Sequence, residues 1–145
     1  MDWIISREEA IGRLRNTKLD FLVYEDLISS NALFDAMLGL RFKKIERKAI
    51  EGWNANKDLT LLDFADFFFP SVGERESILL ISDEGHVKKW VFALSINEMT
   101  SFANWYEDYF NREFFEYGDY LVVFPCLNMI RHIDDEGGMN EYIVY

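Results

Sequence analysis

The stretch Ser77-Ile78-Leu79-Leu80-Ile81-Ser82-Asp83-Glu84-Gly85-His86-Val87-Lys88-Lys89-Trp90-Val91-Phe92-Ala93-Leu94 decides the fold class. Residues 77–81 and 87–94 are rich in β-branched and aromatic side chains, and the interval Asp83-Glu84-Gly85-His86 interrupts them, which predicts an antiparallel hairpin. The first run is apolar throughout, so a strand covered on both faces is expected. A second acid-Gly segment, Ile133-Asp134-Asp135-Glu136-Gly137-Gly138-Met139, echoes Ile81-Ser82-Asp83-Glu84-Gly85-His86-Val87. Both segments read as hairpin tips, with glycine supplying a positive φ and the short acids tolerating a turn.

Downstream, Ser95-Ile96-Asn97-Glu98 is a capping box that opens an amphipathic helix. Met99, Phe102, Ala103, Tyr106, Phe110 and Phe114 recur at intervals of three and four, polar residues take the opposite face, and Gly118 is the expected stop. Strands are predicted at residues 120–124, 127–133 and 142–145. Upstream, Ser6-Arg7-Glu8-Glu9 is another capping box, and its helix is expected over residues 7–16. Two short helices are expected within residues 19–40, broken at Ser29-Ser30-Asn31. Residues 41–48 carry five Lys/Arg, and the spacing of Phe42, Ile45, Ala49 and Ile50 predicts a basic helix. A loop at residues 52–56 and a helix over residues 61–69, stopped by Pro70, complete the pattern. Helices first, strands later, gives a single α+β domain over residues 1–145: a mainly antiparallel sheet of about five strands, with the N-terminal helices and one central amphipathic helix packed on it. An exposed strand edge offers a homodimer contact.

With 145 residues, half of them hydrophobic, the chain can bury one core. The N-terminus lacks a basic flank and apolar run, no stretch reaches membrane-spanning length, and Cys126 has no second cysteine to pair with. These features together predict a cytoplasmic location. Net charge is −11, and it is uneven. Residues 1–40 hold four Lys/Arg against seven Asp/Glu, residues 41–100 nine against ten, and residues 101–145 two against nine. Such a field repels nucleic acid and anionic membrane and accelerates encounter with cationic partners. Plain solubility is the alternative role of that charge.

Catalytic constellations are sparse. There is no nucleophile elbow, phosphate-cradling glycine loop, HExxH or CxxC, and six residues of strand would hold Cys126 and His132 roughly 20 Å apart. His86 near Asp83 and Glu84, and His132 near Asp134 and Asp135, each offer fewer converging groups than a metal site needs. No catalytic residue, metal or cofactor is therefore assigned, and the chain is read as a non-enzyme. What remains in surplus is aromatic side chains beside carboxylates: Trp105, Tyr109 and Tyr117 among Glu107, Asp108, Glu113, Glu116 and Asp119. That chemistry suits a hot spot aimed at Lys and Arg, or else an aromatic border of the core.

The stretch Trp105-Tyr106-Glu107-Asp108-Tyr109-Phe110, the junction Glu116-Tyr117-Gly118-Asp119-Tyr120 and the two acid-Gly turns give the chain a character similar to bacterial immunity proteins. These neutralise secreted nuclease toxins, including those of contact-dependent growth inhibition, and the resemblance lies in size, charge and fold type. It implies a cognate, basic nuclease domain as partner and inhibition by occlusion of its active site, with no nucleic acid or membrane bound. The expected electrostatic contacts are Asp83, Glu84, Glu107, Asp108, Glu116, Asp119, Asp134, Asp135 and Glu136, with Trp105 and Tyr117 as anchors. Two alternatives stay open: a nucleic-acid mimic that blocks a DNA-binding enzyme, and a small ligand-binding or enzymatic domain.

Overall fold

The computed structural model describes residues 3–22, 35–47, 76–112, 114, 119–134 and 138–145. Its strands are β1 (Ile4–Ile5), β2 (Phe42–Arg47), β3 (Ser77–Ser82), β4 (Val91–Ser95), β5 (Tyr120–Phe124), β6 (Met129–Ile133) and β7 (Met139–Val144). Among the described residues the complete helices are α1 (Arg7–Gly12), α2 (Asp83–Val87) and α3 (Met99–Phe110), with 3-10 turns at Ile96–Glu98 and Pro125–Leu127. The strands form one sheet in the order β1-β4-β3-β5-β6-β7-β2, and every pairing within it is antiparallel. The mainly antiparallel α+β expectation holds in outline, with seven strands among the described residues rather than about five.

Strand periodicity divides the apolar residues between two cores. Ile78 and Leu80 of β3 and Tyr120, Val122 and Phe124 of β5 face α3, where they meet Phe102, Ala103 and Tyr106. Leu79, Ile81, Leu121 and Val123 face the other way, onto Ala10 of α1 and Leu14, Leu19, Leu22 and Met37. The unbroken apolar runs therefore mark central strands covered on both faces, as expected. Each fully buried Phe or Leu contributes roughly 1.5–3 kcal/mol, so the sheet is stabilised from both faces.

Several local expectations change. The basic segment is strand β2, whose register runs from Phe42 opposite Val144 to Arg47 opposite Met139. Lys44 lies over the Tyr142 ring at 5.9 Å. Helical spacing of four apolar residues was outweighed by a ladder that β7 alone provides. β1 is two residues long, too short for a sequence pattern to register. Between β3 and β4 the chain forms α2 rather than a tight turn, and β4 starts at Val91 rather than Val87. Ser82 caps α2 by accepting from the Gly85 backbone N–H at 3.1 Å. Gly85 does not have a positive φ; a Cβ there would lie 2.9 Å from Phe92 Cε2, so glycine is needed for close packing. The second acid-Gly segment does join two antiparallel strands, β6 and β7, and Asp134 N–H donates to the Gly138 carbonyl at 2.9 Å.

Both capping boxes mark helix starts. Ser6 accepts from the Glu9 N–H at 3.0 Å, and at Ser95 the reciprocal bond from its N–H to Glu98 Oε1 is also 3.0 Å. The helices are shorter than predicted. α1 gives way after Gly12 to turns, with Asn16 at φ 65°, and α3 ends at Asn111 in the left-handed region instead of at Gly118. β6 starts at Met129 after the 3-10 turn and a left-handed Asn128, and β7 starts at Met139, three residues earlier than expected. The predicted loop at residues 52–56 and helix over residues 61–69 lie outside the described residues, as does much of the 19–40 segment. Among the described residues no helix is long and apolar enough to cross a membrane.

Candidate functional site

The strand order brings the acids together. Ser82 pairs with Tyr120, Tyr120 with Ile133, and Ile133 with Met139, so these four residues form a row across β3, β5, β6 and β7. One residue further out, at the same end of the sheet, stand Asp83, Asp119, Asp134 and Gly138. Neighbouring strands are about 4.8 Å apart, so three carboxylates from distant parts of the sequence border one rim. The rim is cross-linked. Asp83 Oδ2 accepts from the Asp119 backbone N–H at 3.1 Å, Asp119 Oδ1 lies 3.2 Å from His132 Nε2, and Asp134 Oδ1 accepts from the Gly138 N–H at 2.9 Å. The Asp119 side chain remains 51% exposed while His132 is 17% exposed, so the imidazole sits behind the carboxylate.

Glu84 is turned inward. Its carboxylate accepts from the Tyr106 hydroxyl and pairs with the Arg112 guanidinium. Tyr106 Oη is also 2.8 Å from Ser82 Oγ. With its single proton directed to Glu84, Tyr106 takes the second bond as acceptor and the Ser82 hydroxyl donates. Burial first, and donation to Glu84 next, push the Tyr106 hydroxyl far above its ordinary range, so it stays neutral. Glu84 thereby ties α2 to the C-terminal end of α3.

That end of α3 carries the remaining predicted residues. Asp108 is exposed, and Glu107 accepts from the Phe114 N–H at 3.4 Å. Trp105 is half-buried and stacks on Tyr109 with ring centroids 5.4 Å apart, while touching Trp3, Phe92 and Phe102. It belongs to the aromatic border of the core. The exposed aromatic surface is built instead by Tyr109, 51% exposed, with half-buried Trp90 beside it and Val87 at 80%. Lys88 Nζ lies over both rings, 5.0 Å from Trp90 and 5.7 Å from Tyr109. Sequence spacing places Tyr109 at the boundary of α3, but nothing in it joins Trp90 and Lys88 to that boundary, because the contact depends on α2 folding over the end of α3. Glu116, Tyr117, Asp135 and Glu136 lie outside the described residues.

The rim is thus a mixed surface with an acidic excess. Asp83, Asp119 and Asp134 stand at this end of the sheet, Lys88 and Lys89 follow α2, and Glu84 and Arg112 neutralise each other. Among the described residues no three His, Cys, Asp or Glu side chains converge as a metal would require. Such a border can attract and orient a cationic surface, with rings to bury against it. No protein-family model, curated protein or solved structure matches this chain.

Proposed function

We propose that this chain is an immunity-type inhibitor that neutralises a basic nuclease toxin by seating its acidic rim in the toxin's cationic cleft. The observation that supports this reading is the convergence of Asp83, Asp119 and Asp134 from three separate segments onto one end of the sheet, beside the Val87, Trp90 and Tyr109 surface. An acidic field accelerates encounter with a cationic target, and aromatic side chains buried at the contact slow its release. Occupying the cleft excludes the nucleic acid, which inhibits without any chemistry by the inhibitor itself.

Affinity capture with the tagged protein in its native host, washed at low and then moderate salt, tests the reading. Recovery of one basic nuclease in equimolar amount, whose activity falls on complex formation, supports it. Absence of any cationic protein partner, or a partner whose nuclease activity is untouched, removes it.

A further inference from the structure

The acidic rim lies at one end of the sheet, and a groove opens at the other. There β3 begins at Ser77, β5 ends at Phe124, and the 3-10 turn supplies Pro125 and Cys126. The groove has a volume of about 400 Å³, and its walls include Arg13, Glu76, Ser77, Leu79, Pro125 and Cys126. This falls within the range of small-molecule sites, roughly 300–1,000 Å³.

Its charged groups are not spent on each other. Arg13, at the C-cap of α1, donates to Ser77 Oγ at 2.9 Å and to Glu9 Oε1 at 3.2 Å. A guanidinium has five N–H donors, so further positions on its fork remain for a carboxylate. Ser77, having accepted from Arg13, keeps its own hydroxyl proton to donate. Glu76 lines the same groove, while the ion pair of Arg13 is made to Glu9. Burial, then the negative charge of Glu76, and more weakly a hydrogen bond to the Glu76 carboxylate, push the Cys126 thiol up, which keeps it neutral. Half-buried Pro125 supplies the accessible apolar wall, and Leu79, only 1% exposed, underlies it.

We propose that this groove binds a small zwitterion, an α-amino acid with an apolar side chain. The ligand's carboxylate meets Arg13 and the Ser77 hydroxyl, its ammonium meets Glu76, and its side chain lies on Pro125. The site is separate from the acidic rim and does not depend on the inhibitor reading. Its charged groups border solvent, so a dissociation constant on the order of 1 mM is expected.

Amide NMR titration of the intact chain tests this, with leucine as probe and leucinamide and 4-methylpentanoate as controls lacking the carboxylate or the ammonium. Leucine should shift the Ser77, Leu79 and Cys126 amides, and each control should bind about tenfold more weakly. Glu76→Gln, at an exposed position that leaves the fold intact, should erase the difference between leucine and 4-methylpentanoate; Arg13→Gln should erase that between leucine and leucinamide. Equal shifts from all three compounds, or none at Ser77 and Cys126 up to about 20 mM leucine, would overturn the proposal.

Discussion

The hydroxyl of Tyr106 on α3 donates to the carboxylate of Glu84 on α2, so an acid from the first acid-Gly segment is held inside the protein instead of at its rim. Arg112 closes the same carboxylate from the other side. The two echoed segments therefore play different parts. The first forms a capped helix stapled to α3, and the second joins β6 to β7.

Replacing Tyr106 by Phe removes the staple's donor while keeping its ring against Phe102, Phe110 and Phe114. A loss of about 1–2 kcal/mol in urea unfolding is expected. Unchanged stability would mean that Arg112 alone satisfies Glu84.

The same hydroxyl gives an alkaline signature. Its folded pKa is raised above the ordinary value of 10.0, so the stability it contributes is complete below about pH 10 and declines above it, as the unfolded chain releases a proton that the folded chain retains. Between pH 10 and 12 the slope of stability against pH should be shallower in Tyr106→Phe than in the parent, by up to about 1.4 kcal/mol per pH unit. Tyr142, also raised by burial and then by Glu46, remains in both proteins and contributes to the residual slope.

At the acid end, Glu98 is held below the ordinary carboxylate range by the Ser95 backbone N–H, then by its hydroxyl. The buried Trp3 indole, without a hydrogen bond of ordinary geometry, adds a smaller pull in the same direction. A lowered folded pKa contributes stability that is present above the unfolded value and lost as pH falls through the folded one. Glu98→Gln should flatten the decline of stability below about pH 5, and Ser95→Ala should cost about 1 kcal/mol at neutral pH. Thermal unfolding of both variants across pH 3–7 checks this; parallel curves for Glu98→Gln and parent would count against the capping box.

The two glycines respond differently to a methyl group. In Gly85→Ala the new Cβ meets the buried ring of Phe92 at 2.9 Å, whereas in Gly138→Ala it meets the Asp134 carboxylate, the end of a short side chain that can rotate away at the loss of its bond from the Gly138 N–H. Overpacking costs roughly 1–3 kcal/mol, offset by about 1 kcal/mol of improved helix propensity at residue 85. Gly85→Ala should therefore be the more destabilising of the two in chemical denaturation. The reverse order would restore a purely conformational role for Gly85.

Arg131 and Glu141 face each other across β6 and β7, with Nε and Nη2 at 3.2 and 3.1 Å from one carboxylate oxygen and the guanidinium 6.0 Å over Phe124. Their side chains are only 3% and 4% exposed. Arg131→Met leaves a buried carboxylate and should cost about 3–5 kcal/mol. Arg131→Met with Glu141→Leu should recover most of that loss, and additive losses in a double-mutant cycle would contradict the pairing.

At the rim, Asp83→Asn, Asp119→Asn and Asp134→Asn together keep side-chain acceptors but remove three charges. With the captured partner, association should slow about tenfold at low salt, and the difference should shrink at higher ionic strength; stopped-flow mixing measures both. A salt-independent association rate in the parent would remove the electrostatic role of the rim.

Contacts between neighbours in sequence were legible from the sequence alone. Ser6 caps α1 as expected, and the Ser95 box closes over the 3-10 turn that leads into α3, because a capping box spans three residues and needs no other part of the chain. Tyr120–Phe124 was legible as a buried strand because five apolar residues in succession need cover on both faces. Tertiary structure decided whatever depends on a partner far along the chain. The segment Phe42–Arg47 is a strand because β7 offers it a ladder, Gly85 is required because Phe92 packs against it, and Glu84 turns inward because Tyr106 and Arg112 meet it. The rim itself arises from strand order: β3, β5 and β6 lie side by side only after α3 has crossed one face of the sheet, and this places Asp83, Asp119 and Asp134 within reach of one another. Sequence spacing carries charge and periodicity, but adjacency across a sheet is fixed by hydrogen-bond register, which forms only when the strands meet.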